Sequence, residues 1–305
     1  MKNTPLSAIV AIVAFVAIPA AQQVPQTPEQ REAAARERYE KALATVRPIA
    51  AADSVWIEEL TYLEVRDALK AGKTTALILA GSTEQNGPYL PGAKHQYVLR
   101  QTGEAIARKL GNALVAPIVP IEAGNPENKY IEWGSLYFSA ETFRAVLRDM
   151  STSLKSQGFK NIILMGDSGG DTAGLKAVAQ ELNAKWSGTA GVYHIPEYYN
   201  WSQPGVPGGP TVRQFTTESG IPEKFDSDGI HDDYGLTAVS MAYDPKAVRY
   251  DQRVAANKTT INGVSIIPKE KTIAFGKKVV EWRANIAVEA IKKALATKSA
   301  TSQGR

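Results

Sequence analysis

The sequence contains no cysteine among its 305 residues. No disulfide can form and no lipid can be attached through an N-terminal cysteine, so folding in an oxidising compartment would need no thiol chemistry. Histidine is nearly as scarce, with His95, His194 and His231 the full set. Charge of one sign is also in short supply. The formal net charge of +4 is scattered, without a run of five like charges. Such a surface is solvated and carries no nucleic-acid footprint, so no nucleic-acid partner is expected. Long apolar runs are missing too, with one exception. Leu6 to Ala20, broken only by Ser7 and Pro19, is short for a membrane span, which takes ~20 apolar residues. No internal repeat is present.

What the sequence does have begins with that run. Lys2 followed by an apolar stretch has the form of a signal peptide over residues 1–22. The chain is therefore expected to be exported, periplasmic or secreted, with no stable membrane anchor after cleavage near residues 20–22; an uncleaved N-terminal anchor is the alternative. Residues 23–53 read as a linker and a helical extension. Its Glu-, Arg- and Ala-rich part, 29–46, has a thin apolar side and is expected on the surface or against another subunit.

From Trp56 onward short apolar runs (75–80, 113–119, 161–165, 191–195) alternate with amphipathic stretches (62–70, 97–110, 140–156, 171–186). That alternation indicates βαβ units and a parallel sheet. Residues 54–295 are expected to form one α/β domain, closed by helices near 234–242 and 271–295, with a polar tail at 296–305. The stretch 196–228 has no clear period and reads as a long, functional loop.

Glycine-rich segments follow the strands, at the edge where open α/β sheets bind ligands. Three of them carry the chemistry: Gly81-Ser-Thr-Glu-Gln-Asn-Gly-Pro-Tyr-Leu-Pro-Gly-Ala-Lys-His95, Met165-Gly-Asp-Ser-Gly-Gly-Asp171 and Asp226-Ser-Asp-Gly-Ile-His-Asp-Asp-Tyr-Gly-Leu-Thr237. Carboxylates and imidazoles converging at strand ends suit a zinc or manganese ion. The plainer alternative is that the acids cap helices and the glycines make turns. It is the stronger one for Asp171, directly before a helix, and weaker for Glu84, which has no cap to make.

The first of these segments resembles the creatininase (creatinine amidohydrolase) family, whose loop runs Gly-Ser-x-Glu-Gln-His-Gly-Pro-His-Leu-Pro-x-x-x-Asp. Gly166–Asp171 is similar to its Asn-Gly-His-Gly-Gly-Asn, and His231–Ala238 to its His-Ala-x-Glu-x-Glu-Thr-Ser. The resemblance implies an α/β/α layered domain with a mostly parallel sheet, often assembled as a hexamer. It also implies metal-dependent hydrolysis of C–N bonds in cyclic or linear non-peptide amides. In the family two metal ions share Glu, His and Asp ligands. Carried over to this chain, Glu84 is retained, Asn86 and Tyr89 stand where histidines are expected, and His95 replaces the bridging aspartate. Ser168 replaces the histidine of the second motif and Leu236 the last glutamate.

The expected function is therefore a hydrolase of this type acting on a small-molecule amide, as a homo-oligomer, with a reduced or rebuilt metal site. Its metal ligands would be Glu84, His95, Asp167 and Asp233, or another group from 231–233. One divalent ion is favoured over two, and no metal is the remaining alternative. Glu84, Ser168 and His231 are the candidate catalytic residues. Asn86, Tyr89, Trp133, Tyr199 and Trp201 are the candidates to line the substrate pocket, whereas His194 reads as a structural histidine. A non-catalytic relative that kept the fold is the second reading. The third comes from Gly166-Asp-Ser-Gly-Gly170, which fits a nucleophile elbow with Ser168 as nucleophile.

Overall fold

The computed structural model describes residues 27–186, 188–199, 211–224 and 233–303. The expected signal segment lies outside the described residues, as do Trp201, His231 and Asp232. The chain divides into two compact units, residues 1–46 and 47–305. In the first, helix α1 spans Pro28–Ala44 and buries no residue. Thr27 and Gln30 close a reciprocal cap at its start, each side chain bonding the other's backbone N–H.

The second unit is built on four parallel strands: β1 (Thr75–Ala80), β2 (Ala113–Val115), β3 (Asn161–Gly166) and β4 (Gly191–His194), in the order β2-β1-β3-β4. All six residues of β1 are buried, which is why it reads as an unbroken apolar run rather than an alternating one. The side chains still alternate. Ile78 faces a core with Phe143, Leu147 and Leu175, while Leu77 and Leu79 face another with Leu99, Ile106 and Ile291. The first core is supplied by α4 (Ala140–Gln157) and α5 (Asp171–Trp186). The second is supplied by α3 (Lys94–Leu110) and the closing helix α9 (Lys269–Gln303). Helices thus cover both faces of a parallel sheet, the layered arrangement expected from the sequence. α2 (Tyr62–Lys70) leads into β1, and α3 and α4 end on Gly111 and Gly158, whose positive φ values of 74° and 110° suit glycine.

A third apolar cluster joins α7 (Tyr234–Tyr243) and α9, through Tyr234, Val239, Phe275 and Val279. Three features there carried no periodic signal. α8 (Tyr250–Ala255) is six residues long, and the β5–β6 hairpin (Thr260–Ile261, Val264–Ser265) has two residues per strand. Within the stretch read as loop, α6 (Val212–Glu218) forms behind a reciprocal Thr211–Gln214 cap. Seven residues are too few to show a helical period, so only the cap could have betrayed it. β2 ends at Val115, short of the expected 119, but Val119 still bridges to Ala80. Among the described residues no helix is long and apolar enough to cross a membrane.

Candidate active site

The site forms where β1 and β3 end side by side. Asp167 N–H donates to the Ala80 carbonyl at 2.8 Å, extending the parallel ladder one step and fixing Asp167 beside the chain leaving β1. That chain runs through Gly81 to Glu84, is held by Glu84 N–H to the Gly92 carbonyl at 3.2 Å, and re-enters as α3. Lys94 and His95 are the first two residues of α3, and both are buried. A Cβ on Gly81 would lie 3.1 Å from that of His95, so the absence of a side chain there allows the close approach of loop and helix.

His95 lies between two carboxylates. Its Nε2 is 2.6 Å from Glu84 Oε1 and its Nδ1 is 2.8 Å from Asp167 Oδ2. Each ring nitrogen thus has a carboxyl oxygen as its hydrogen-bond partner. Lys94 Nζ is 3.6 Å from the same Glu84 oxygen. Arg283, arriving from α9, donates to Asp167 Oδ1 at 2.6 Å and to the Tyr198 carbonyl at 3.2 Å, with its guanidinium 4.4 Å above the Tyr198 ring. The Tyr198 hydroxyl is in turn bonded to Thr102 Oγ1 at 2.7 Å. Burial acts to raise the Asp167 carboxyl, but Arg283 and His95 outweigh it and hold the group below the usual carboxylate range. Burial pulls the Lys94 ammonium down, opposed by Glu84, Asp233 and Asp167.

A second acid group faces this row. Glu122, from the segment after β2, accepts from the Ser168 hydroxyl and from Gly170 N–H, the latter at 3.1 Å. A Cβ on Gly170 would run into the Glu122 carboxylate and the Ala123 carbonyl. Glycine at 170 is what lets this carboxyl reach the turn. Burial pushes Glu122 upward, the Ser168 hydroxyl opposes that, and the neighbouring Glu84 charge adds to it. Asp171 is fully buried and its two carboxyl oxygens make no hydrogen bond of ordinary geometry among the described residues. Its expected role as a helix cap is therefore corrected: burial, then the nearby Glu122 and Asp167, push the carboxyl well above its usual range, favouring the neutral acid.

Of the candidate residues, Glu84, His95, Asp167 and Ser168 come together at the sheet edge. Asp233 caps α7, accepting from Leu236 N–H at 2.6 Å. Asn86 is buried within its own loop, donating to the Glu84 and Pro91 carbonyls at 2.8 and 3.2 Å. Tyr89 lies under Arg253, whose guanidinium is 4.2 Å from its ring. Trp133 stands in solvent, 100% exposed. The Tyr199 hydroxyl is raised by burial and by the Asp167 charge. His194, half-buried at the end of β4, is lowered to about 4 by burial and Lys176. Ser168 meets a glutamate, not a histidine, among the described residues. Sequence reasoning missed Glu122, Lys94 and Arg283. Glu122 had a detectable signal, a lone acid just past an apolar strand run; Arg283 had none, because it lies mid-helix far along the chain.

A divalent ion needs donors that can turn toward one point. Here the Asp167 oxygens are engaged by His95 and Arg283, both His95 nitrogens face carboxylates, and an ammonium stands beside Glu84. Among the described residues no group of three or more His, Asp or Glu side chains could hold a metal ion. This donor set does not fit the metal that the family resemblance implies.

A parallel α/β sheet covered on both faces, with buried acids and an imidazole at the carboxyl ends of its central strands, defines a ligand-site protein of the layered α/β class. The creatininase family model, described as creatinine amidohydrolase, matches residues 58–297, and the chain belongs to that family. The family and the fold support an amidohydrolase-type function. Among solved structures, creatinine amidohydrolase (creatininase) superposes with a TM-score of 0.52 at 18% identity, covering 81% of this chain and 98% of that one. A point mutant of creatininase described as the Zn–Zn type gives 0.53 at 18%, covering 81% and 99%. A putative creatinine amidohydrolase from Bacteroides fragilis NCTC 9343 gives 0.51 at 19%, covering 78% and 97%. At these identities the likeness to the structures shows the fold. No curated protein matches the sequence.

Proposed function

We propose that this chain hydrolyses the C–N bond of a small, non-peptide amide, cyclic or linear, at the edge formed by β1 and β3. The observation that carries the reading is the Glu122 carboxyl. It is buried, raised by that burial and by Glu84, bonded to Ser168, and set across from the Glu84–His95–Asp167 row. A carboxyl raised above its usual range is suited to take and return a proton. In the reaction, water adds to the amide carbon as Glu122 accepts its proton. The C–N bond then breaks and the nitrogen leaves carrying that proton. No step is assigned to a metal ion. The related solved structures include proteins described as Zn–Zn and Mn forms of creatininase and one complexed with creatine. A guanidino or ureido amide is accordingly the first substrate class to test.

The reading extends to setting and assembly: an exported enzyme, acting outside the cytoplasm as a homo-oligomer, from the Lys2–Ala20 segment and the family resemblance. The test is a panel of cyclic and linear amides with release of amine, or of the ring-opened acid, followed by mass spectrometry. Turnover by the wild type, abolished by Glu122→Gln with the fold intact, is expected. Binding of a panel member without turnover would instead favour the non-catalytic relative, a reading that the fully paired, buried ions of the site also suit.

A further inference from the structure

We propose that Lys94, His95 and Arg283, seated on Glu84 and Asp167, take the carboxylate oxygens that a divalent ion would otherwise engage at this sheet edge, so that the site is built to work without metal. The inference deepens the functional reading above, because it concerns the charge balance of that same site, but it is tested separately from turnover.

Glu84 and Asp167 are buried, as are the three basic side chains that face them. Carboxylates cannot be buried as anions without partners, and the partners must come either from the chain or from an ion. Here the chain provides them. His95 spans the two acids, with contacts of 2.6 and 2.8 Å, Arg283 takes the remaining Asp167 oxygen at 2.6 Å, and Lys94 stands 3.6 Å from Glu84. An added dication would have to displace the His95 imidazole from Glu84 and then lie beside the Lys94 side chain, 3.6 Å from the same oxygen. The sequence changes point the same way. Relative to the family loop, the bridging aspartate is His95 and a histidine position is Asn86, so one negative ligand has become an imidazole and one imidazole has become an amide held within its own loop.

The test begins with the wild-type full chain, purified without chelator. Its zinc and manganese content is measured by inductively coupled plasma mass spectrometry, and its melting temperature is compared with and without a chelator. Far less than one equivalent of either metal, an unchanged melting temperature, and no saturable uptake in calorimetric titration are expected. About one equivalent of zinc or manganese, whose removal lowers the melting temperature and whose uptake is lost in Glu84→Gln, would overturn the proposal. A second arm uses Lys94→Ala/His95→Asp, which removes two basic side chains and restores a carboxylate. If this variant is folded by circular dichroism, it should take up zinc where the wild type takes none; a folded variant that stays metal-free would also count against the proposal. Should it not fold, the wild-type metal content alone decides. Amide turnover by a metal-loaded wild type would preserve the functional reading and sink this one, whereas a metal-free wild type that binds no amide would do the reverse.

Discussion

Replacing Arg283 with methionine keeps most of the aliphatic bulk of the side chain and deletes the guanidinium that holds Asp167. The residue is well placed for the experiment because both members of the pair are almost fully covered, Arg283 at 5% exposure and Asp167 at 1%. Asp167 would keep His95 on one oxygen and lose its partner on the other, and the Tyr198 carbonyl would lose its bond from Arg283. Removing one partner of a buried ion pair costs ~3–5 kcal/mol, mainly because a charge is left uncompensated. For a domain of this size each kcal/mol moves the melting temperature by ~2–4 °C, so a drop of roughly 6–20 °C is expected near pH 7. The pH dependence gives a sharper check. In the wild type the Asp167 value is depressed below that of the unfolded chain, so its contribution is present above the unfolded pKa and is lost as pH falls through the folded value. Without Arg283, burial becomes the larger influence and the folded value rises. The penalty then exists only while the group must ionise, and the gap between variant and wild type should narrow as pH falls from neutral toward about 4. Arg283→Met/Asp167→Asn should recover much of the loss at neutral pH. Urea unfolding followed by circular dichroism measures all of this. A loss below about 1 kcal/mol at pH 7, the size typical of an exposed pair, would refute the claim that this pair anchors the site.

Three further outcomes are expected. Glu122→Gln should lower amide turnover by ~10²–10⁴; because burial raises the Glu122 value, its ionisation costs folded-state stability above the unfolded pKa of about 4.3 and nothing below it, so the variant should gain on the wild type as pH rises from 4 to 8 in urea titrations. Gly170→Ala places a methyl group against the Glu122 carboxylate and the Ala123 carbonyl, and should lower unfolding free energy by ~1–3 kcal/mol while disordering the Glu122–Ser168 contact, read by chemical denaturation and turnover together. Protein recovered from its native host should carry a mature N-terminus near residues 21–23 by intact-mass analysis and scatter light as an oligomer; an intact Met1 on cytoplasmic protein, or a monomer at micromolar concentration, would contradict the exported homo-oligomer.

The sequence by itself determined the elements with enough length to show a period or enough burial to show an apolar run. α2 and β1 fall at 62–70 and 75–80, as the pattern predicts. The start of α3 at 94 instead of 97, and of α9 at 269 instead of 271, differ only in the first turn, where no apolar spacing marks the boundary. The same local logic located Glu84, His95, Asp167 and Ser168, because each follows a buried strand or opens the next helix, and the sheet brings all strand ends to one edge. What those residues do to one another was decided only in three dimensions. Whether His95 offers a nitrogen to an ion or spends both on carboxylates depends on Glu84 and Asp167 lying on opposite sides of its ring, a fact of the β1–β3 register. Arg283 meets Asp167 across 116 positions of chain, and Glu122 meets Ser168 across 46. Hydrogen bonds and ion pairs act over a few ångströms in space and are blind to sequence separation. Which side chains those acids meet was therefore decided by the packing of α9 and of the segment after β2 against the sheet edge.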